Sequence, residues 1–343
     1  MTHTPGCRRG RVALLLIPVV RDSRGMTAVP VTTLLIAILA IAGGFGITIF
    51  ASRRAVADAA ALAAGTRIPP FIVGITLLAI GTDLPEIANS IVSSISGHGD
   101  INVGDSVGSA VTQATLVVGL LPIVGGAFVA GRRRVARIGG ATVGALLLGA
   151  YLMSDGFLSR GDALLLIGTW LAGSALVWRD LPPEAQPSIQ VEAGRKLGKA
   201  STVLVALAVV AAGATAAVWG LTKVAEALDV SEYLVAFVLA SLGTSLPELV
   251  VNLTAIRAGQ RDLAVGGALG ASFVDSTLSI AAGPLIAPVA VTAGLVVRGS
   301  IAAALTIGLV VVLLSVRRRH DRVSGFALVA LYVAFYAVVI AVW

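Results

Sequence analysis

Long apolar runs recur along the whole chain and leave few polar positions between them. A helix needs about 20 such residues to cross the roughly 30 Å hydrocarbon core of a bilayer. A membrane β-barrel would instead show alternating segments of about ten residues. The pattern therefore predicts an all-α polytopic membrane protein. We place ten transmembrane helices at residues 29–52, 70–95, 104–126, 135–153, 161–178, 202–222, 233–256, 263–289, 299–316 and 325–343, with a helical extension of the first at 53–66.

One long polar stretch, Arg179 to Lys199, interrupts this pattern near the middle of the chain. Its prolines and charged residues are typical of a connecting segment, and five predicted spans lie on either side. We therefore expect an N-terminal tail at 1–28, a first membrane repeat at 29–178, a cytoplasmic linker at 179–200 and a second membrane repeat at 201–343. The linker is too short for a calcium-sensing domain, so we predict none.

Charge follows the predicted topology. Only 13% of the residues are charged, against about 25% in soluble domains, which excludes an ordinary soluble enzyme. The net charge of +7 arises mainly from basic residues in the connections after odd-numbered spans, which the positive-inside rule assigns to the cytoplasm. These are Arg53, Arg54, Arg67, Arg132, Arg133, Arg134, Arg137, Arg179, Arg195, Lys196, Lys199, Arg257, Arg261, Arg317, Arg318, Arg319 and Arg322, against Arg160, Lys223 and Arg298 in the opposite connections. We expect an external N-terminus, a cytoplasmic linker and no nucleic-acid partner.

The first residues fit this topology poorly. Arginines flank the apolar run Val12–Val20, which is too short to span a membrane and precedes no small-residue cleavage site. We therefore expect translation to start at either Met1 or Met26. The single Cys7 excludes an intrachain disulfide and a cysteine metal site.

A six-residue motif occurs twice at an offset of 162 residues. Gly81-Thr82-Asp83-Leu84-Pro85-Glu86 returns as Gly243-Thr244-Ser245-Leu246-Pro247-Glu248, and the register continues without a gap through the following helix. The copies lie five predicted spans apart. Because five is odd, they enter the membrane from opposite sides. Such inverted repeats are typical of secondary transporters, which bind their substrate near the midplane between the repeats.

Each motif carries a helix-breaking pair and a carboxylate at matching depth. Pro85 and Pro247 each remove a backbone donor, and carbonyls freed at mid-membrane are tolerated only where they line a cavity or bind an ion. A carboxylate there costs about 2.5–3.5 kcal/mol on insertion scales, and no Lys or Arg lies at these depths in the predicted spans. Carboxylate, hydroxyl and amide oxygens suit Ca²⁺ and Na⁺. The candidate metal ligands are Glu86, Glu248, Asp275, Thr82, Thr244, Asp83, Ser245, Ser109 and Gln113.

Other polar residues have simpler interpretations. We interpret Asp100 and Asp262 as helix caps, Asp105 as either a cap or a ligand, and Asn89 and Asn252 as interhelical hydrogen-bond partners or outer ligands. A single Gly-Thr-x-Leu-Pro-Glu motif would be a helix N-terminus. Its recurrence in mid-span at the same register favours an ion site.

The two motifs, with Gly104-Asp105-Ser106-Val107-Gly108-Ser109 and Gly266-Gly267-Ala268-Leu269-Gly270-Ala271, resemble the two alpha-repeats of the sodium/calcium exchanger family in the calcium/cation antiporter superfamily. The resemblance implies ten helices, with spans 2, 3, 7 and 8 around the ions. It implies that Glu86 and Glu248 are the two central glutamates, that Thr82, Thr244, Ser245, Ser109 and Asp275 match other site positions, and that Gln113 stands where an asparagine is usual.

The chain also departs from the family pattern. Asp83 replaces a serine in the first motif, and Ala271 replaces a serine in span 8. One added carboxylate and one lost hydroxyl leave the coupling ion open.

We expect a plasma-membrane antiporter without enzymatic activity or cofactor, exchanging Ca²⁺ for Na⁺ by alternating access. H⁺-coupled Ca²⁺ transport and Na⁺/H⁺ exchange are the alternatives within this fold. A passive cation channel and an intramembrane aspartyl hydrolase using Asp83 and Asp275 are the alternatives of other classes. The expected partners are Ca²⁺, Na⁺ or H⁺ and the lipid bilayer, with no protein partner predicted.

Overall fold

The computed structural model describes residues 30–63, 79–178, 196–257, 259–317 and 319–342. The predicted tail 1–28, most of the linker 179–200 and the beginning of the predicted span 70–95 lie outside them.

Long helices dominate both halves of the chain. The first half contains α1 (Val31–Ala63), α2 (Ala79–Thr82), α3 (Leu84–Ile95), α4 (Gly99–Thr112), a π-helical turn (Gln113–Val117), α5 (Val118–Gly125), α6 (Arg132–Leu152), a 3-10 turn (Met153–Asp155), β1 (Phe157–Leu158) and α7 (Arg160–Trp178). The second half contains α8 (Lys196–Leu228), α9 (Glu232–Val235), a π-helical turn (Ala236–Ala240), α10 (Ser241–Thr244), α11 (Leu246–Arg257), α12 (Arg261–Val274), a π-helical turn (Asp275–Ser279), α13 (Ile280–Ile286), β2 (Val289–Ala290), α14 (Ala293–Val316) and α15 (Arg322–Val342).

Eight helical segments among the described residues are long and apolar enough to cross a bilayer. They are Val31–Ala51, Gly99–Gly125, Arg132–Asp155, Ala208–Leu228, Glu232–Arg257, Arg261–Ile286, Ala293–Val316 and Arg322–Val342. Each overlaps a predicted span. The predicted span 161–178 is the helix α7, which is not one of the eight, and the predicted span 70–95 is described only from residue 79. The chain is a multi-pass membrane protein.

Equivalent elements recur in the two halves at the register of the sequence repeat. α3 and α11 have 12 residues each, and α4 and α12 have 14 residues each. Each of these 14-residue helices continues into a π-helical turn of five residues. The turns before α4 and α12 each need a residue with positive φ, 82° at Gly97 and 78° at Gly259. Glycine adopts this conformation without steric cost.

Small residues allow the two longest helices, α1 and α8, to pack closely. A side chain added at Gly44 would meet the backbone of Gly213 and Ala217, and one added at Gly220 would meet the backbone of Ala37. Such close approach is the usual basis of helix association in a bilayer. The other long helices surround α4 and α12, whose residues are nearly all buried.

Short strand-like contacts join connections that are distant in sequence. β1 and β2 pair antiparallel, with Phe157 opposite Ala290. Near the other end of α14, Phe128 and His320 form an isolated antiparallel bridge, and their rings pack with centroids 5.4 Å apart. These contacts fix the connections around the central helices.

The predicted capping roles of Asp100 and Asp262 are wrong. The N-cap positions are His98 and Gln260, and neither aspartate caps its own helix. Asp100 instead accepts hydrogen bonds from the backbone N–H and hydroxyl of Thr292, both at 2.6 Å. Asp262 pairs with Arg134 at 3.3 Å. Both carboxylates therefore bind a distant segment in place of the local backbone, which local sequence could not indicate.

Candidate cation site

Two interrupted helices position the central glutamates. The break at Asp83 separates α2 from α3, and the break at Ser245 separates α10 from α11. Pro85 and Pro247 are the second residues of α3 and α11, where a helix N–H has no partner to lose. Glu86 and Glu248 follow as the third residues, so each carboxylate begins a helix whose N-terminal dipole favours negative charge.

The prolines also keep each short helix from continuing regularly into the next. Neither Pro85 nor Pro247 has an N–H to donate to the carbonyl four residues earlier, that of Gly81 or Gly243. Each motif therefore places its glutamate directly after an interruption of the helical hydrogen bonding.

Three carboxylates meet at the centre of the protein. Oxygens of Asp83, Glu86 and Glu248 all lie within 4.8 Å of one another, and each residue is at most 1% exposed. Two unit charges at that distance repel by about 3.5 kcal/mol at an effective dielectric constant of about 20. Within the described residues no basic side chain pairs with these three carboxylates. Their charge therefore requires a cation or protons.

Asp275 extends the acidic cluster from the opposite helix. It begins the π-helical turn after α12, is fully buried, and is close enough to interact electrostatically with Asp83, Glu86 and Glu248. Gln113, at the equivalent position of the first half, and Ser279 both lie beside the Asp275 carboxylate. The π-helical turns thus place an amide and a carboxylate at related positions facing the cluster.

Hydroxyl groups complete the surroundings of the carboxylates. Thr82 lies beside Glu248, and Ser245, 2% exposed, lies at the second helix break with its hydroxyl unbonded within the described residues. The hydroxyl of Ser109 is 3.2 Å from that of Thr244. All nine residues that the sequence indicates as candidate ligands are therefore buried around the two helix breaks.

The sequence left the role of Asp105 open between a helix cap and a cation ligand. It lies in the middle of α4, which excludes a capping role. One carboxylate oxygen is 2.9 Å from the hydroxyl of Thr244, and the other accepts a hydrogen bond from Asn89. Asp105 thereby joins α3, α4 and α10 next to the cation site. The four-residue spacing of Asp105 and Ser109 was an available sign of a shared helix face.

Tyr336 is the residue that the sequence did not indicate. Its hydroxyl lies 3.1 Å from the carbonyl of Gly108 and 3.2 Å from that of Phe237, and 3.2 Å from the hydroxyls of Thr112 and Ser241. It belongs to α15, far from either motif in the sequence. In the structure it holds the backbone next to Ser109 and Thr244.

The arrangement supplies hard oxygen ligands without histidine or cysteine. Ca²⁺ takes about six to eight such oxygens, in flexible geometry, and Na⁺ uses the same donor types. Because the carboxylates come from α3, α11 and the turn after α12, one bound cation would touch both halves of the chain.

Comparisons with known proteins identify a family for the chain. The family described as sodium/calcium exchanger protein matches residues 36–179 and 199–341. CaxA of Alkalimonas amylolytica, whose name describes it as a candidate antiporter, is 28% identical over 313 residues, which are 88% of this chain and 98% of CaxA. The sodium/calcium exchanger MaX1 of Methanosarcina acetivorans is 38% identical over 69 residues, 20% of each chain.

A solved structure has the same fold. The sodium-calcium exchanger NCX_Mj superimposes with a TM-score of 0.60 at 23% identity, covering 89% of this chain and 98% of that one. At this identity the likeness concerns the fold alone. The family match, however, extends over both membrane halves, so the chain belongs to the sodium/calcium exchanger protein family.

Proposed function

We propose that this protein exchanges Ca²⁺ for Na⁺ across the plasma membrane by alternating access. The observation that carries the proposal is the meeting of Asp83, Glu86 and Glu248, three buried carboxylates from both halves within 4.8 Å, with no basic partner within the described residues. Glu86 and Glu248 are the central ligands. Asp83, Asp275, Thr82, Thr244, Ser245, Ser109 and Gln113 supply further oxygens to Ca²⁺ or to the Na⁺ ions that replace it. No prosthetic group is part of the proposal.

We further propose that the ten-helix plan is an inverted repeat with the site on its two-fold axis. Residues in equivalent positions of a two-fold arrangement meet only near the axis. Two such pairs do meet: Thr48 donates to the carbonyl of Val210 at 3.3 Å, and Ser272 donates to that of Ala110 at 2.9 Å. Both pairs are 162 residues apart, which is the offset of the repeat. This agreement supports the domain division at the central linker.

The charge distribution supports one orientation. Arg132, Arg133 and Arg134 begin α6, and Arg317, Arg319 and Arg322 lie beside the Phe128–His320 bridge in the sequence, so we assign this face to the cytoplasm. The turn at Gly97 and the β1–β2 pair then belong to the outer face, and the N-terminus is outside.

H⁺-coupled Ca²⁺ antiport, or Na⁺/H⁺ exchange by the same fold, is the second candidate. The observation that favours it is Asp83, a third carboxylate in contact range of Glu86 and Glu248 where the second repeat has Ser245. An additional acidic group gives protons a place in the same site.

Flux measurements separate these candidates. Purified protein in proteoliposomes should take up ⁴⁵Ca²⁺ when an outward Na⁺ gradient drives the exchange. A pH gradient or a K⁺ gradient of equal size should not drive this uptake. Uptake driven only by a pH gradient would select the second candidate. Ca²⁺ movement without any counter-ion gradient would indicate a channel and would contradict exchange.

A further inference from the structure

Helix α4 crosses the second half of the chain at Gly108 with almost no side chain in between. A side chain added at Gly108 would meet the carbonyl oxygen of Phe237 and the side chain of Ser241. Small residues allow helices in a bilayer to approach this closely. α4 therefore lies directly against the π-helical turn Ala236–Ala240 and the first residue of α10.

The Tyr336 hydroxyl bridges this crossing from a third helix, α15. It lies 3.1 Å from the carbonyl oxygen of Gly108 and 3.2 Å from that of Phe237, one on each side of the crossing. It also lies 3.2 Å from the hydroxyls of Thr112 and Ser241. Each of these two hydroxyls donates to the carbonyl four residues earlier, at 3.0 Å for Thr112 and 2.6 Å for Ser241. One tyrosine hydroxyl thus joins α15 to α4 and to the start of α10.

Other aromatic residues hold the ring of Tyr336 in place. Its centroid lies 4.8 Å from that of Tyr332, 5.4 Å from that of Phe335 and 5.7 Å from that of Phe237, and the residue is buried. Aromatic pairs at such distances stabilise their arrangement beyond the area that they bury. The hydroxyl therefore has little freedom to leave the crossing.

The crossing adjoins two candidate ligands of the cation site. Ser109 follows Gly108, and its hydroxyl is 3.4 Å from the carbonyl oxygen of Ser241 and 3.2 Å from the hydroxyl of Thr244. Thr244 ends the short helix α10, which Ser241 begins. Both ligands are neutral, so their attraction for a cation depends on the distance and direction of their oxygens, which neighbouring residues fix. A shift of α4 against α10 would separate these oxygens.

The repeat relates this crossing to the one between α12 and α2. Helices α7 and α15 begin 162 residues apart, so the offset of the repeat extends to Tyr336. The counterparts of the three hydroxyl residues at the crossing, in the order Tyr336, Thr112 and Ser241, are Ser174, Val274 and Ala79. The repeat-related positions thus carry one hydroxyl on a short side chain in place of three. The three-hydroxyl arrangement is specific to the crossing beside Ser109 and Thr244.

We propose that Tyr336 is a positioning residue, which holds Ser109 and Thr244 where they bind a cation and thereby sets the affinity for Na⁺ more than that for Ca²⁺. Its hydroxyl contacts neutral groups next to neutral ligands. A carboxylate attracts Na⁺ with half the Coulomb energy that it gives Ca²⁺, so neutral oxygens supply a larger share of Na⁺ binding. The inference rests on the proposed function for the identity of the two ions.

Tyr336→Phe tests the proposal because it keeps the packed ring and removes only the hydroxyl. Purified full-length protein in detergent micelles is titrated with ⁴⁵Ca²⁺ in choline chloride, and the bound ⁴⁵Ca²⁺ is displaced with NaCl at constant ionic strength. The two titrations give the dissociation constant of Ca²⁺ and the Na⁺ concentration that displaces half of it, and neither needs transport. Tyr151→Phe, at an exposed tyrosine of α6, is the matched control.

We expect the half-displacing Na⁺ concentration to rise about fivefold in Tyr336→Phe, the change expected for one lost hydrogen bond. The dissociation constant of Ca²⁺ should stay close to that of the wild type, and Tyr151→Phe should change neither value. A residue that serves packing alone would give no shift, or an equal loss of both affinities. Either result would overturn the proposal.

Ser241→Ala provides a second variant if Tyr336→Phe does not give monodisperse protein. It removes one hydroxyl that contacts Tyr336 and leaves the ring in place. The half-displacing Na⁺ concentration should rise in this variant as well, by a smaller factor. An unchanged value would count against the proposal as it would for Tyr336→Phe.

The binding data also separate this inference from the proposed function. Wild-type protein that binds both ions but exchanges neither in proteoliposomes would reject the proposed function and leave the comparison of affinities valid. Wild-type protein that exchanges them, with unaltered Na⁺ displacement in Tyr336→Phe, would reject the inference alone. Bound Ca²⁺ that Na⁺ does not displace from the wild type would contradict both.

Discussion

The two halves place nearly identical helices around Glu86 and Glu248, yet the side chains beyond the two glutamates differ in kind. Toward the face bearing Gly97, α3, α4 and α13 present Ser90, Ser94 and Asn102. Toward the other face, the equivalent helices present Asn252 and, inside a hydrophobic cluster, Ile256 and Ala264. The helices are therefore repeated on both sides of the site, while the polarity of the side chains beside them is not. The comparison teaches that a duplicated fold can hold a matched pair of glutamates between unlike surroundings.

Removing either central carboxylate has the largest expected effect. Glu86→Gln and Glu248→Gln keep the side-chain shape but delete one of the charges that hold the cation, and we expect each to reduce Ca²⁺ exchange at least 100-fold. Since the glutamates are equivalent, the two losses should be similar despite the different side chains beside them. Initial ⁴⁵Ca²⁺ uptake rates in proteoliposomes measure this.

Glu226→Gln is the matched control for the glutamate variants. Glu226 is exposed and pairs with Lys223 at 2.7 Å, so its loss should leave exchange near the wild-type rate. Exchange that persists in Glu86→Gln but not in Glu248→Gln would mean that only one half binds the cation.

Exchanging side chains between the two halves comes next. Ser94→Ile introduces the residue found at the equivalent position of the second half, Ile256, and should slow exchange about tenfold, because a branched side chain overfills the close contact of α3 with Gly283. Ser94→Thr keeps the hydroxyl and should be milder. An unchanged rate in a well-folded Ser94→Ile protein would remove the functional meaning of the difference between the two halves.

The two motifs differ at one position, Asp83 against Ser245, and a change there should affect ion binding less than the changes above. Asp83→Ser makes the first motif match the second, and we expect it to weaken Ca²⁺ binding about tenfold, or about 1.4 kcal/mol, because one negative ligand is lost. Na⁺ affinity should fall less, since its charge is half as large. Calorimetric titration of both ions measures the ratio, and tighter Ca²⁺ binding in Asp83→Ser would show that repulsion among the carboxylates dominates.

The smallest expected effect concerns the strand-like contacts at the two membrane faces, the β1–β2 pair and the Phe128–His320 bridge. Burial lowers the pKa of His320, whose ring is 1% exposed against Phe128, whereas the β1–β2 pair has Leu158 at the equivalent position. A lowered pKa means that, as the pH falls, the unfolded chain binds the proton at a higher pH than the folded chain does. The stability due to His320 is therefore complete above its ordinary pKa of about 6.5 and decreases as the pH falls below that value.

Thermal unfolding between pH 7.5 and 5 checks this sign. We expect the melting temperature of the wild type to fall by a few degrees more than that of His320→Leu, which cannot take up a proton there. An equal fall in both proteins would assign the pH effect to other groups.

Sequence reasoning reached the fold class and the acidic residues because both leave strong local signals. Continuous apolar runs admit few structures other than membrane helices, and the repeated Gly-Thr-x-Leu-Pro-Glu motif marks its own helix break. The nine candidate ligands needed no long-range information beyond the register of the repeat.

Other features depend on contacts that a single sequence does not encode. Asp100 looks like a cap because it begins a helix, but its carboxylate binds Thr292, 192 residues away. Tyr336 belongs to no motif, and its role depends on the packing of α15 beside Gly108 and Phe237. Ser90 and Ser94 are only scattered serines in the sequence, since their contacts depend on which helices face each other.

Anomalous diffraction from crystals soaked in Sr²⁺, a heavier substitute for Ca²⁺, tests the central claim most directly. The account predicts one strong peak within about 2.3–2.7 Å of carboxylate oxygens from both Glu86 and Glu248. A peak bound by residues of one half alone, or no peak among these carboxylates at saturating Sr²⁺, would contradict it.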